Sequence, residues 1–217
     1  MILADLTDRI EHLRVHTSMG GDSVVVIGIT GAPGAGKTTL AESLVSELNG
    51  DEADPERQLY AHVPMDGFHL ADAELDRLGL LDRKGAPETF DSYGYAALLS
   101  RLSEPRNAVV YAPGFERTLE QPLAGVIPVY PSVQVVITEG NYLLLDRPGW
   151  REVRQRCTET WFCEQEQRLR IERLVQRHIL FGKSPEAAAS WVETVDEPNA
   201  RLIEATRSRA DLVVRVG

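Results

Sequence analysis

The stretch SVVVIGITGAPGAGKTTLAESLVSELNG (Ser23–Gly50) decides the fold class of this chain. Its first part, Ser23 to Thr30, is a continuous apolar and largely β-branched run, which is typical of a strand covered on both faces. A helix is predicted from about Lys37 to Leu48, and Asn49-Gly50 is a good stop signal for it. Between them, GAPGAGKT (Gly31–Thr38) matches GxxxxGK[ST] in the strand–loop–helix context that distinguishes a phosphate-binding loop from a chance match.

The residue types of this loop suit nucleotide phosphates. Its glycines let the backbone turn tightly and aim N–H groups at phosphate oxygens. Lys37 would reach the β- and γ-phosphates, the Thr38 hydroxyl would hold Mg²⁺, and the helix N-terminus adds partial positive charge. The loop predicts a bound nucleoside triphosphate, and the absence of a guanine-reading NKxD argues against a GTPase. The residues predicted to bind the nucleotide are Gly31, Ala32, Pro33, Gly34, Ala35, Gly36, Lys37, Thr38 and Thr39.

The same strand pattern returns four times, at residues 60–65, 133–138, 160–163 and 211–216. Helical stretches such as 91–103 and 164–181 separate these runs. The alternation predicts an α/β protein with a five-stranded parallel sheet flanked by helices, the P-loop NTPase fold, as one domain over residues 1–217.

The remaining segments complete this prediction. Residues 109–129 are richer in Pro, Gly and Tyr and are expected to form a small hairpin over the edge of the sheet. The chain opens with a predicted amphipathic helix that is broken at residues 19–22. The apolar positions of this helix are Ile2, Leu3, Leu6, Ile10 and Leu13.

Composition limits the partners. The formal net charge is −10 over 217 residues, which argues against a nucleic acid or a membrane as the main partner. Residues 147–183 are locally basic, with 9 Lys/Arg against 5 Asp/Glu, which suits a small polyanion. The charge pattern therefore predicts a small polyanionic ligand rather than a polymer as partner, and it leaves a homodimer open. Cys157 and Cys163 are expected to be reduced, and the absence of a signal peptide predicts a cytoplasmic protein.

A second stretch, YAHVPMDGFHLAD (Tyr60–Asp72), places a carboxylate at a predicted strand end. Catalytic groups in open parallel sheets lie at the carboxyl ends of strands, on the edge that carries the phosphate loop. If the second strand neighbours the first, Asp66 faces the γ-phosphate, and Gly67 leaves room for a substrate. The alternative is an aspartate that only caps or stabilises a turn.

Four motifs, taken in order, carry a family resemblance: GAPGAGKTT, MDGFH, RKGAPETFD (Arg83–Asp91) and ITEGNYLLL (Ile137–Leu145). They resemble the superfamily of uridine kinase, bacterial type I pantothenate kinase and phosphoribulokinase. Within it, the chain is most similar to nucleoside/nucleotide kinase-like proteins labelled as fructose-transport-system kinases. The resemblance implies transfer of the γ-phosphoryl group of Mg·ATP to an alcohol group of a small metabolite, with a sugar or nucleoside-like acceptor favoured and Asp66 as general base.

The resemblance also implies roles for other residues. It gives Glu139 the positioning of Mg²⁺ together with Thr38, and it makes residues 164–183 a lid over ATP. Arg173 and Arg177 of the lid would stabilise the transferring group together with Lys37. Arg170, Arg173 and Arg177 share one helix face without interleaved acids, whereas His178 falls on the apolar stripe. The implied acceptor residues are His69, Arg83, Lys84, Tyr111 and Arg117.

Several alternatives stay open at this level. The arginine face can be solvated, Asp91 can simply cap a helix, and His69 can be structural. The acceptor can instead resemble pantothenate. Two other functional classes are an ATP-binding regulatory protein without turnover and an NTPase that drives a partner protein.

Overall fold

A computed structural model describes residues 3–19 and 23–216 of the protein. Its strands are Val25–Thr30 (β1), Tyr60–Pro64 (β2), Val110–Glu116 (β3), Gln121–Val129 (β4), Val135–Glu139 (β5), Glu159–Glu164 (β6) and Leu212–Arg215 (β7). Five of them form a parallel sheet in the order β2-β5-β1-β6-β7. The other two, β3 and β4, pair antiparallel as a separate hairpin.

Helices cover both faces of the sheet because side chains alternate along each buried strand. The α-helices of the described residues are Leu3–Met19 (α1), Lys37–Asn49 (α2), Asp72–Leu78 (α3), Ser92–Ser103 (α4), Trp150–Arg156 (α5), Gln167–Leu180 (α6), Pro185–Trp191 (α7) and Glu197–Glu204 (α8). Ile27 and Ile29 of β1 pack in one core with residues of α1 and α2. Val26 belongs to the opposite core, with residues of α4, α5 and the hairpin.

The register of the strands brings the functional segments to one edge. In the parallel pairing, Glu139 at the end of β5 lies opposite Ile29 of β1 and Pro64 of β2. The carboxyl ends of these three strands therefore meet. The loop after β1, the end of β5 and the 3₁₀ turn Met65–Phe68 after β2 are neighbours in space.

The structure confirms the α/β class, the five-stranded parallel sheet and the hairpin, and it corrects several bounds. The strand predicted at 60–65 ends at Pro64, and the helix predicted at 164–181 begins only at Gln167 because Glu164 ends β6. The second strand is not a neighbour of the first, since β5 lies between them. Assignment of the whole chain to one domain stays a prediction.

Other predictions concern the chain start and the cysteines. Helix α1 carries Leu3, Leu6, Ile10 and Leu13, whereas Ile2 and the break at residues 20–22 lie outside the described residues. Cys157 and Cys163 are both free and buried. Across residues 3–19 and 23–216, no helix combines the length and apolar character that crossing a bilayer requires.

Candidate active site

The loop after β1 contains backbone conformations that glycine adopts most readily. Gly34 and Gly36 have φ angles of 80° and 89°, in the left-handed region. Gly34 also lies against α6, where an added Cβ would come within 2.8 Å of both Arg170 O and Leu174 Cγ. The predicted phosphate-binding residues Gly31–Thr39 form this loop and the first residues of α2, whose N-terminus favours an anion.

Lys37 opens α2 and is folded back over the loop. Its Nζ donates hydrogen bonds to Gly31 O at 2.9 Å and to Ala32 O at 3.1 Å. Burial lowers the pKa of Lys37, and the nearby Glu139 carboxylate opposes that effect. The two hydrogen bonds therefore anchor the Lys37 side chain on the backbone of the loop.

Glu139 joins the end of β5 to the loop. The Thr38 hydroxyl donates a hydrogen bond to Glu139 Oε1 at 3.2 Å, and His62 Nε2 lies 3.8 Å from the same oxygen. Burial alone would raise the pKa of Glu139, but His62 and Lys37 outweigh it and the pKa is lowered. Glu139 is thus a buried carboxylate beside a hydroxyl, a set of oxygens that suits a hard cation.

Asp66 is the next acid along this edge, but it does not end a strand. It lies in the 3₁₀ turn Met65–Phe68, two residues beyond β2. Because β5 separates β2 from β1, Asp66 is placed beside Glu139 rather than directly beside the loop strand. Asp66 lies on the predicted edge of the sheet, but the condition that the second strand neighbours the first is not met.

Gly67 is required at its position for a different reason from the one expected. A Cβ at this position would collide with the carbonyl oxygen of Pro113 and lie 2.6 Å from its carbonyl carbon. The glycine therefore lets the turn that carries Asp66 pack directly on strand β3. It does not open space for a substrate.

The surroundings of Asp66 oppose its charge. Burial and the neighbouring Glu139 carboxylate raise the pKa of Asp66, and Arg117, Lys37 and Arg177 partly offset this. Arg117 Nη2 lies 3.7 Å from Asp66 Oδ2. The net effect is a raised pKa for Asp66, so the carboxylate is a stronger proton acceptor than a free aspartate.

A cleft of about 410 Å³ opens over this edge of the sheet. It brings together ten of the predicted site residues. They are Pro33, Gly34, Lys37, Thr38, Asp66, His69, Lys84, Arg117, Glu139 and Arg177.

His69 and Lys84 form part of the cleft wall away from the loop. The His69 ring lies between Phe90, at 4.0 Å between centroids, and Phe115, at 5.0 Å. Burial and the nearby Lys84 lower the pKa of His69 to about 3, so the imidazole is neutral. Lys84 Nζ lies 2.6 Å from Asp72 Oδ1 and also donates to Glu120 O.

Two predicted acceptor residues are not brought to the cleft. Arg83 is exposed and pairs with Glu88. Tyr111 lies on β3 with 61% of its surface exposed. Neither residue belongs to the cleft lining, so their placement does not support a role in acceptor binding.

The arginines of α6 do not share one environment. Arg170 is buried, donates to Pro33 O at 3.2 Å and pairs with Glu197 of α8. The helix face that carries Arg170 has no acid of its own, but α8 supplies one as a partner. Arg170 joins α6 to the loop and to α8.

The other two arginines, Arg173 and Arg177, lie one helical turn apart on α6. Arg173 is exposed, with Nη1 4.0 Å from the position that a Cβ on Gly36 would take, so it lies beside the loop. Arg177 lines the cleft. Burial lowers the pKa of Arg177, while Asp196 and Asp66 raise it.

The far wall of the cleft was not foreseen from the sequence. His178, expected on an apolar stripe, places Nε2 2.9 Å from Asp196 Oδ2. Asp196 closes a π-helical segment, Val192–Asp196, and Pro198 follows it in α8. A proline inside a helical pattern removes a backbone hydrogen-bond donor. Pro198 was therefore the one sequence signal for an irregular helix at this wall of the cleft. The additional lining residues include Asp72, Phe115, Asn141, Phe181, Lys183, Trp191, Asp196 and Asn199.

Known proteins match the chain over most of its length. The model of the Phosphoribulokinase / Uridine kinase family matches residues 26–217. A "putative uridine kinase" of Schizosaccharomyces pombe is 30% identical over 88% of this chain and 83% of its own length. A pantothenate kinase of Leifsonia xyli is 31% identical over 88% of this chain and 65% of its own.

A crystal structure extends the likeness to the fold. The "putative fructose transport system kinase" of Silicibacter sp. TM1040 superposes with a TM-score of 0.84, at 37% identity and with 99% of both chains covered. The family implies ATP as phosphoryl donor and an alcohol group as acceptor. The protein is a small-molecule kinase, and it belongs to the phosphoribulokinase/uridine kinase family.

Proposed function

We propose that the protein transfers the γ-phosphoryl group of Mg·ATP to a hydroxyl group of a sugar or nucleoside-like acceptor, with Asp66 as general base. One observation carries the proposal. The cleft that is lined by the loop residues Lys37 and Thr38 and by Glu139 is also lined by Asp66, whose pKa is raised. A kinase of this type needs such a carboxylate near the transferring group, because the acceptor hydroxyl must lose a proton.

The residues around the loop fit a nucleotide with its metal. The φ angles of Gly34 and Gly36 let loop amides face phosphate oxygens, and Lys37 holds a positive charge next to them. Thr38 and Glu139 would hold Mg²⁺, and within residues 3–19 and 23–216 no cluster of three or more His, Cys, Asp or Glu forms a separate metal site. When bound, Mg²⁺ supplies charge neutralisation to the phosphate oxygens.

The lid contributes a further positive charge. Arg177 lines the same cleft as Asp66, so its guanidinium can act on negative charge that develops on the transferring group. We propose that Arg177 and Lys37 both stabilise the transferring group. Arg173, beside the loop, is proposed to act on the phosphates from the nucleotide side.

The far wall supports an acceptor that carries several hydroxyl groups. Five basic residues (Lys37, Lys84, Arg117, Arg177, Lys183) and five acidic residues (Asp66, Asp72, Glu120, Glu139, Asp196) line the cleft, so their charges balance. A balanced set favours a neutral acceptor over a second polyanion beside ATP. Asp196 and Asn199 offer carboxylate and amide groups, which are good partners for hydroxyls.

A screen for acceptors tests the proposal. ADP release is coupled to an optical readout, with Mg·ATP and a panel of sugars, nucleosides, pantothenate and glycerate. A sugar or nucleoside should raise the rate well above the acceptor-free background, and Asp66→Asn should abolish the increase. A preference for pantothenate would correct the acceptor class. ATP binding without a response to any acceptor would favour the regulatory protein without turnover.

A further inference from the structure

Arg117 lies between the proposed base and the end of the lid. Its guanidinium is 3.7 Å from Asp66 Oδ2, and its Cζ is 5.8 Å from the centroid of the Phe181 ring. Asp66 belongs to the turn after β2, and Arg117 belongs to the connection between β3 and β4. Phe181 is the residue that directly follows α6. One side chain therefore links the base, the hairpin and the lid.

The connection that carries Arg117 is held on both sides. Glu116 Oε1 accepts hydrogen bonds from Thr118 N at 3.0 Å and from Thr118 Oγ1 at 2.8 Å. On the other side, Lys84 donates to Glu120 O, and Glu120 has a φ of 53°, which a non-glycine residue seldom adopts. A connection tied in this way limits the positions open to the Arg117 side chain.

The hairpin is also fixed relative to Asp66. Because Gly67 packs against the backbone of Pro113, the turn of Asp66 and strand β3 have little freedom to separate. Arg117 is thus presented to Asp66 by contacts that do not involve any ligand. On the other side of Arg117 lies the end of α6, where Phe181 is its contact.

Phe181 is an unusual residue for the end of a lid. Together with Leu180, which is 80% exposed, it gives the helix end two large apolar side chains, yet only Phe181 contacts a cation of the hairpin. Gly182 follows with a φ of 96° and ends the helix. An aromatic ring over a guanidinium contributes about 0.5–1 kcal/mol at an exposed site. Leu180 makes no such contact with a cation among residues 3–19 and 23–216.

We propose that Phe181 and Arg117 form a latch, and that Phe181 is a positioning residue which acts on Asp66 through Arg117. When the lid is down, the ring fixes the guanidinium, and the guanidinium fixes the carboxylate. Lid position and base geometry are then coupled. The role of Asp66 in this inference rests on the proposed function, whereas the latch itself does not.

Hydrogen exchange in the nucleotide-free protein tests the latch without an acceptor. Amides of residues 177–184 should exchange about two- to fivefold faster in Phe181→Leu and in Arg117→Met, as loss of the contact predicts. The double variant should be no faster than either single variant. Phe181→Tyr keeps an aromatic ring and should behave like the wild type, and Leu180→Ala is the matched control. Unchanged exchange in Phe181→Leu, or additive effects in the double variant, would overturn the latch.

Turnover tests the positioning role separately. With an acceptor from the screen, Phe181→Leu should lower kcat about two- to fivefold with little change in the KM for ATP. Phe181→Tyr should restore kcat, and Leu180→Ala should leave it unchanged. If Asp66→Asn keeps its turnover, the proposed function fails while the exchange result stands. If Asp66→Asn loses turnover but Phe181→Leu keeps a normal kcat, the positioning role alone is wrong.

Discussion

The hydroxyl of Thr38 donates a hydrogen bond to Glu139 Oε1 at 3.2 Å, across the gap between the start of α2 and the end of β5. The contact exists because β1 and β5 are adjacent parallel strands whose ends coincide, with Ile29 opposite Glu139. It joins the two oxygen groups that are proposed to hold Mg²⁺. The metal requirement of the enzyme should therefore depend on Glu139.

Glu139→Gln should raise the Mg²⁺ concentration needed for half-maximal ADP release about 10- to 100-fold, because a carboxylate that orients the metal is replaced by a neutral amide. A Mg²⁺ titration of the acceptor-dependent rate measures this effect. Glu56→Gln, an exposed acid far from the cleft, serves as the control. An unchanged Mg²⁺ dependence would remove Glu139 from the metal site.

Lys37→Ala should weaken ATP binding or abolish transfer, since a buried positive charge next to the loop amides is lost. Calorimetric titration with a non-hydrolysable ATP analogue and the ADP-release assay report the two effects. Arg57→Ala, an exposed cation, should change neither. A variant at Lys37 with a normal transfer rate would contradict the assignment of the loop.

Arg177→Ala should lower kcat by about 100-fold, more than it raises the KM for ATP, because its contact matters most in the transition state. Arg173→Ala should have a smaller effect on kcat, as Arg173 lies beside the loop and outside the cleft lining. Arg168→Ala is a control on the same helix, with an exposed side chain. Normal kcat in the double variant Arg173→Ala, Arg177→Ala would return both residues to a solvated basic face.

The free energy of unfolding should decrease at acidic pH, partly because the folded state disfavours protonation of His69. Its pKa is about 3 in the folded protein and about 6.5 in an unfolded chain. Between these values the unfolded state binds the extra proton, so stability decreases as the pH falls below about 6.5, by at most about 1.4 kcal/mol per pH unit. Urea unfolding at pH 7 and pH 5 should show a smaller difference for His69→Phe than for the wild type. His16→Asn, at an exposed position, should not reduce the difference.

The sequence predicted the sheet well because each strand is a buried apolar run and the phosphate loop has a specific pattern. It could not give the strand order, since buried strands read alike. Whether β2 neighbours β1 therefore stayed an open condition, and the turn that carries Asp66 was taken for a strand end.

The parts of the candidate site that belong to a sequence motif were predicted. The parts that depend on contacts between residues distant in the sequence were missed. Gly67 was interpreted from its local sequence, although its close neighbour, Pro113, lies on another element. Likewise, no local pattern around Arg170 predicts its ion pair with Glu197. No local pattern around His178 predicts its contact with Asp196. Arg83 and Tyr111 followed from the family motifs alone, and neither belongs to the cleft lining.

The central claim is that Asp66 takes the proton of the acceptor hydroxyl, and Asp66→Asn tests it most directly. The substitution keeps the shape of the side chain but removes the proton acceptor, so kcat should fall about 10²–10⁴-fold. ATP affinity and melting temperature should change little, because Lys37, Thr38 and the loop amides hold the nucleotide. A folded Asp66→Asn protein with near-normal kcat would contradict the account and assign the proton transfer to another residue.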